Sequence, residues 1–300
     1  MDRPPFLEPA LLMIICLAAG YVSACAAPGE APAVQGTPEP ATGRAPATVP
    51  VPTEGPTILS EEAATMTITV VYDNVSYDSR LRTSWGFSCL VEFDETALLF
   101  DTGEDGGVLL SNMSALGLDP LGIDLLALSH IHGDHTGGLG SVLATGIRPV
   151  VYMPGSFPAG FKDQVRSMTE VREVSDPMTI AEGVYSIGEL GSDIIEQSLV
   201  LDTPEGLVII TGCAHPGIVD IVRRAKELHR EEIYLVMGGF HLGEKSRAEL
   251  EHIMAELQRL GVQRVAPSHC TGQQAIHMFA ETWGQGFIHS GAGRVIEIGE

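Results

Sequence analysis

The 300-residue chain holds ten histidines, and three of them, His130, His132 and His135, fall in the run Ser129-His130-Ile131-His132-Gly133-Asp134-His135. Imidazoles crowded this closely repel one another once protonated, and packing gives no reason to interleave them with a carboxylate. A metal ion does. Neutral imidazole nitrogen and carboxylate oxygen are good ligands for zinc and its divalent neighbours, and two metals a few ångströms apart can share such a cluster. Because zinc lowers the pKa of water to about 7, the chemistry expected here is attack by hydroxide at neutral pH. A two-metal clamp would stabilise charge on the attacked centre. Asp134 would hold the attacking water and take part in proton transfer, while the histidines fix geometry.

A ligand set of this kind needs a rigid support. The apolar run at 123–129 reads as a buried strand that ends where the cluster begins, and Thr136-Gly137-Gly138-Leu139 reads as a helix start. Further motifs follow the same local plan. Leu99-Phe100-Asp101-Thr102-Gly103 lies upstream, and Thr211-Gly212-Cys213-Ala214-His215, Gly238-Gly239-Phe240-His241-Leu242 and Ser268-His269-Cys270-Thr271-Gly272 lie downstream. His215 and His269 each follow a short apolar strand and precede a helix-like segment. In this order, over residues 65–300, the motifs resemble the metallo-β-lactamase superfamily. Within it they resemble the branch of 7,8-dihydropterin-6-methyl-4-(β-D-ribofuranosyl)aminobenzene-5′-phosphate synthase.

That resemblance implies an α/β fold, the four-layer αβ/βα sandwich, with metals at the edge between two sheets. It implies two divalent metal ions, with zinc expected first and manganese or iron as alternatives. His130, His132 and His215 match the ligands of the first metal, and Asp134, His135 and His269 those of the second. Asp101 matches an aspartate that orients a histidine by accepting its free ring proton. One position departs from the wider superfamily, where an aspartate between the last two matched histidines bridges both metals. Here the only aspartate between His215 and His269 is Asp220, in a helix-like stretch. The strand that should deliver the bridge ends in Gly239-Phe240-His241. His241 is therefore expected as a terminal ligand or as a donor to a substrate oxygen, since one imidazole nitrogen cannot bridge as a carboxylate does.

Residues 1–24 carry an apolar run from Ala10 to Ala19, too short to span a bilayer but suited to the core of a signal peptide. Val22-Ser23-Ala24-Cys25 resembles the bacterial lipobox, which makes Cys25 the expected lipid attachment site. From Ala26 to Ser60 eight of the nineteen prolines occur without a single aromatic residue. Such a segment cannot bury enough apolar surface to offset its ordering entropy. Residues 25–64 thus read as a lipidated cysteine and a disordered tether with a reach of about 30 Å. Residues 65–300 read as one catalytic domain.

In that region strands are expected at 66–72, 89–93, 97–100, 123–129, 150–152, 198–201, 207–211 and 233–237, with a hairpin turn at 204–206. Residues 169–174 and 184–187 read as a second strand group. Helices are expected at 107–116, after His135, at 217–229 and at 246–260. Of five cysteines, Cys213 and Cys270 lie within two residues of expected ligands, where a metal role and a small buried packing role are both open. Asn74 and Asn112 are open between substrate contact and turn formation. His229, His252, His277 and His289 read as surface or capping residues.

With 17 Lys+Arg against 39 Asp+Glu the formal charge is -22, a field that repels phosphate backbones and argues against nucleic acid. The expected protein is an extracytoplasmic, membrane-anchored lipoprotein of a bacterium, hydrolysing a small phosphoester or diphosphate. An enzyme outside the cytoplasm rarely meets the pterin intermediates that the branch is credited with joining, so transfer of that kind is the alternative. A non-catalytic metal- or solute-binding lipoprotein is a third reading, set against six intact ligand positions.

Overall fold

A computed structural model describes residues 65–299; the expected signal segment, Cys25 and the tether lie outside the described residues. Three antiparallel strands open the domain, β1 (Met66–Asp73), β2 (Phe87–Phe93) and β3 (Thr96–Phe100). β4 (Leu125–Ala127), β5 (Val150–Pro154) and β6 (Val171–Val174) add in parallel beside β3. The chain then enters a second sheet with β7 (Met178–Ala181), β8 (Val184–Ser186), β9 (Leu199–Thr203) and β10 (Gly206–Thr211), paired antiparallel in succession from β7 to β10. β11 (Ile233–Gly239) and β12 (Arg264–Ser268) continue it in parallel. Finally β13 (Val295–Ile298) returns to the first sheet, antiparallel to β1. The sheet orders are β13-β1-β2-β3-β4-β5-β6 and β12-β11-β10-β9-β8-β7.

Among the described residues seven α-helices complete the fold: α1 (Gly106–Leu116), α2 (Gly133–Thr136), α3 (Leu139–Ala144), α4 (Ala159–Arg166), α5 (Ile218–His229), α6 (Arg247–Arg259) and α7 (Gln273–Trp283). Period-2 alternation sorts the strand residues into layers. Ile68, Val70, Val91, Leu98 and Phe100 meet Val208, Ile210, Leu235 and Met237 between the sheets. Leu90, Leu99 and Leu126 turn outward against Leu109, Met113 and Val142 of α1 and α3. Leu207, Ile209 and Val236 do the same against Ile221, Leu250 and Phe279 of α5, α6 and α7. The result is helix, sheet, sheet, helix: the αβ/βα sandwich, in one domain. Burial on both faces explains why these strands read as continuous apolar runs. Each fully buried aliphatic side chain contributes roughly 1.5–3 kcal/mol relative to exposure, so the sheets form a stiff platform.

The structure corrects part of the strand reading. Residues 169–174 and 184–187 do not form one group: β6 pairs with β5 in the first sheet, whereas β8 pairs with β9 in the second. A parallel partner needs a crossover, and α4 between β5 and β6 supplies it. The helix after His135 is also two pieces, α2 and α3, separated at Gly137-Gly138. A Cβ there would lie 2.3 Å from the Glu104 carbonyl oxygen and 2.2 Å from that of Thr102, so this pair admits the close approach of the loop after β3. The hairpin at 204–206 forms with Thr203 opposite Gly206. Among the described residues no helix is long and apolar enough to cross a membrane.

Candidate metal centre

β1 and β3 run in the same direction because each is antiparallel to β2, and β4 runs with them. Their carboxyl ends, and those of β10, β11 and β12, deliver the histidines, aspartates and cysteine at the centre of the site, in keeping with the rule that α/β sheets present ligands at the carboxyl ends of strands. β1 leads into Asp73 and Asn74, β3 into Asp101, β4 into 129–135, β10 into Cys213 and His215, β11 into His241 and β12 into His269. The backbone is forced into the left-handed region at Asp101 (φ 57°), Ala214 (φ 56°), His241 (φ 52°) and His269 (φ 50°). Strain of this kind costs about 1–3 kcal/mol per residue and persists where surrounding structure over-determines it.

The six histidine and aspartate positions converge. Ring centroids of His130 lie 4.7 Å from His132, 4.2 Å from His135 and 4.8 Å from His215, and His135 lies 5.1 Å from His269. Asp134 Oδ2 is 3.4 Å from His269 Nε2 and 3.7 Å from His135 Nε2. Donor atoms fall into overlapping groups. One is Asp134, His135, Cys213 and His269, a second is His130, Cys213 and His215, and a third is His130, His132 and Asp134; within each group they lie within 4.8 Å of one another.

Three of the rings, His130, His135 and His269, are each aimed by a partner at the other nitrogen. Asp101 Oδ2 accepts from His135 Nδ1 at 2.7 Å and from Ser129 Oγ at 2.7 Å, while Asp101 Oδ1 accepts from Ser129 N at 2.7 Å. Because Ser129 Oγ spends its proton on Asp101, it accepts from His130 Nδ1 at 2.9 Å. Asn74 Oδ1 accepts from His269 Nδ1 at 2.7 Å, and Asn74 Nδ2 donates to the His269 carbonyl at 3.2 Å. The three arrangements leave Nε2 of His130, His135 and His269 facing inward as lone-pair donors, the tautomer a metal requires. Asp101 thus takes the orienting role that the resemblance implied. Asn74 resolves as an orienting residue, and Asn112 as a structural clamp bonded to Val71 O, Arg82 N and Arg82 O.

A buried carboxylate that sequence reasoning missed secures the loop after β10. Glu196 Oε1 accepts from Thr211 Oγ1 at 2.9 Å and from the N–H groups of Gly212, Cys213 and Ala214 at 3.0 Å, and Oε2 accepts from His215 N at 3.0 Å. Next to it, Gln197 Nε2 donates to Leu128 O at 2.8 Å and Gln197 N to Ser129 O at 3.0 Å, tying the loops after β4 and β10 together. The available signal was a Glu-Gln pair leading into an apolar strand.

The electrostatics suit a cation. Among the described residues the ion pairs of Asp101 and Asp134 run to histidines alone. Burial, then the neighbouring imidazoles His135, His215 and His132, holds His130 far below the ordinary histidine range. His215 is lowered to about 4 by burial and then by His241 and His132. Both therefore stay neutral, the form that ligates. Burial works against the charge of His135, but Asp101 outweighs it and raises the ring's pKa. The nitrogens His215 Nε2 and His269 Nε2 are buried without hydrogen-bond partners, a costly state unless a cation lies there. This donor set fits a divalent metal.

Two cysteines and His241 flank the cluster. Cys213 Sγ is 3.2 Å from His135 Nε2, and Cys270 Sγ donates to the Cys213 carbonyl at 3.6 Å. The contact between the thiols pushes Cys213 up and holds Cys270 down. His241 packs on His215 with centroids 4.4 Å apart, groups only with the two cysteines, and is raised by its contact with Cys270. Two glycines let it arrive: a Cβ at Gly238 (φ +110°) would sit 2.0 Å from the Thr211 carbonyl oxygen and one at Gly239 2.7 Å from Cys270 Sγ. Beyond His241 opens a cavity of ≈ 440 Å³ lined by Trp85, Glu244, Lys245, Glu249 and Cys270. His229, His252, His277 and His289 belong to none of the donor groups.

Comparison with known proteins agrees with this geometry. The family model of the metallo-beta-lactamase superfamily matches residues 86–227. The 7,8-dihydropterin-6-methyl-4-(beta-D-ribofuranosyl)-aminobenzene-5'-phosphate synthase of Methanocaldococcus jannaschii is 28% identical over 280 residues, 77% of this chain and 95% of the relative. Among solved structures, Tm1679, a metal-dependent hydrolase of the beta-lactamase superfamily, superposes with a TM-score of 0.66 at 29% identity, covering 78% of this chain and 99% of that one. A diphosphatase of the PhnP family shares the fold, with a TM-score of 0.53 at 15% identity, covering 78% of this chain and 97% of that one. With a helix-sheet-sheet-helix sandwich and a histidine and aspartate cluster at the strand ends, residues 86–227 match the metallo-beta-lactamase superfamily, and the chain as a whole is similar to its dihydropterin synthase branch.

Proposed function

We propose that the protein is an exported hydrolase that depends on two divalent metal ions, zinc first, and acts on a small phosphoester or diphosphate. The observation that carries this reading is the convergence of His130, His132, Asp134, His135, His215 and His269 in overlapping donor groups, with the Nε2 lone pairs of His130, His135 and His269 turned inward. Bound there, the cations would supply a water acidic enough to give hydroxide near pH 7. Asp134, whose side chain is 17% exposed, orients that water and accepts its proton at Oδ2. His241 on the cavity wall donates to an oxygen of the substrate, and Lys245 pairs with its anionic group. Trp85, packed against His269 at 4.9 Å between centroids, gives the cavity an apolar wall. A volume of ≈ 440 Å³ suits a small molecule, and the net charge of -22 repels a polyanion.

The lipobox-like run Val22-Ser23-Ala24-Cys25 and the proline-rich composition that follows it support lipid attachment at Cys25 and a location at the outer side of a bacterial membrane. The similarity to the Methanocaldococcus jannaschii synthase supports a second reading, a transfer reaction on a pterin-like substrate. The test is turnover by the metal-loaded protein on phosphomonoesters, phosphodiesters, diphosphates, lactones, β-lactams and RNA at low salt. Hydrolysis of small phosphoesters or diphosphates above all else is expected. Efficient RNA cleavage would contradict the small-molecule reading, and no turnover on any of them would favour transfer or a binding role.

A further inference from the structure

The superfamily's bridging carboxylate has no counterpart at the end of β11: His241, which arrives there, shares a donor group with neither Asp134 nor His130. A sulfur atom occupies the middle of the cluster instead. Cys213 Sγ is the one atom common to the Asp134, His135, His269 group and the His130, His215 group, within 4.8 Å of the donor atoms in both. It is 3.2 Å from His135 Nε2, and its residue is 3% exposed.

A cysteine kept for packing turns its sulfur toward hydrocarbon, but this one faces imidazoles and a carboxylate. Its backbone is fixed as firmly as those of the histidines, because Cys213 N is one of the donors in the Glu196 cradle. Cys270 holds the outer position, its thiol engaged with the Cys213 carbonyl, and it groups with no imidazole other than His241.

We propose that Cys213 is the ligand shared by the two metal positions, a thiolate bridging where relatives in the wider superfamily use a carboxylate. The inference rests on the two-metal reading above. A thiolate sulfur carries several lone pairs and can bond two cations at once; on binding, the thiol proton passes to bulk water. A sulfur bridge also selects among metals. Thiolate favours zinc and iron over manganese and magnesium, which prefer oxygen.

The test is X-ray absorption at the zinc edge on the full-length protein loaded with zinc under reducing conditions, with zinc per chain measured on the same sample. A bridge predicts a sulfur shell at about 2.3 Å, distinct from nitrogen and oxygen at about 2.0–2.1 Å. It predicts one sulfur per zinc when two zinc ions are bound. The shell should vanish in Cys213→Ser and persist in Cys270→Ser. Cys213→Asp, which restores a carboxylate, should keep two zinc ions without sulfur. Two zinc ions with nitrogen and oxygen neighbours alone overturn the bridge and leave the two-metal reading standing; absence of bound zinc overturns both. A shell lost in Cys270→Ser and kept in Cys213→Ser, or a Cys213–Cys270 disulfide in the active protein, also overturns it.

Discussion

Asp101 accepts three hydrogen bonds inside the protein, from Ser129 N, Ser129 Oγ and His135 Nδ1, and it is fully buried. An amide in its place offers one acceptor oxygen and turns two N–H donors on groups that already donate, so Asp101→Asn releases His135 directly and His130 through Ser129. Loss of such an orienting partner typically costs 10–100-fold in metal affinity, and chelator competition should show a loss of about that size in this variant with the fold retained. Unchanged affinity would mean that the ring orientations are set by packing. The histidines and Asp101 were legible in the sequence because their types and spacing are uncommon outside metal sites. Glu196 and Asn74 were not. Glu196 binds backbone N–H groups 16 to 19 residues away and Asn74 a histidine 195 residues away, and no local pattern encodes such a contact. Cys213 was ambiguous for the same reason, since only the fold reveals which way its sulfur faces.

At the level of elements, strand and helix existence followed from periodicity, whereas pairing did not. Residues 169–174 carry a strand signal wherever they pair, and the choice of β5 as partner is made by α4 and the outer core rather than by the segment itself. α6 is the element whose signal is most complete: Ser246 caps it and Glu249 closes a capping box. The Ser246 hydroxyl and backbone N–H, with Lys245, hold the Glu249 carboxyl down at about 2 against an ordinary 4.5. A carboxyl lowered on folding adds stability that is present above its unfolded value and fades as pH falls through the folded one. Thermal melts of wild type and Glu249→Ala should therefore differ by a constant amount above pH 4.5 and converge as pH falls toward about 2. A gap that widens on acidification would show that the carboxylate is not the stabilising form.

The whole molecule joins a rigid catalytic sandwich to an N-terminal segment read only from sequence. If Cys25 carries the lipid, Cys25→Ala should release the protein from the membrane fraction or stall its maturation. Retention with normal processing would leave some other attachment to be found. What unites the chain is the convergence of both sheets on one metal centre, to which the first contributes His130, His132, Asp134 and His135 and the second contributes His215 and His269. Elemental analysis of the purified protein beside its His130→Ala and His269→Ala variants tests this most directly. Two divalent ions per chain in the wild type and one in each variant, with most turnover lost in both, is the predicted result; an active wild type that holds no metal would contradict it.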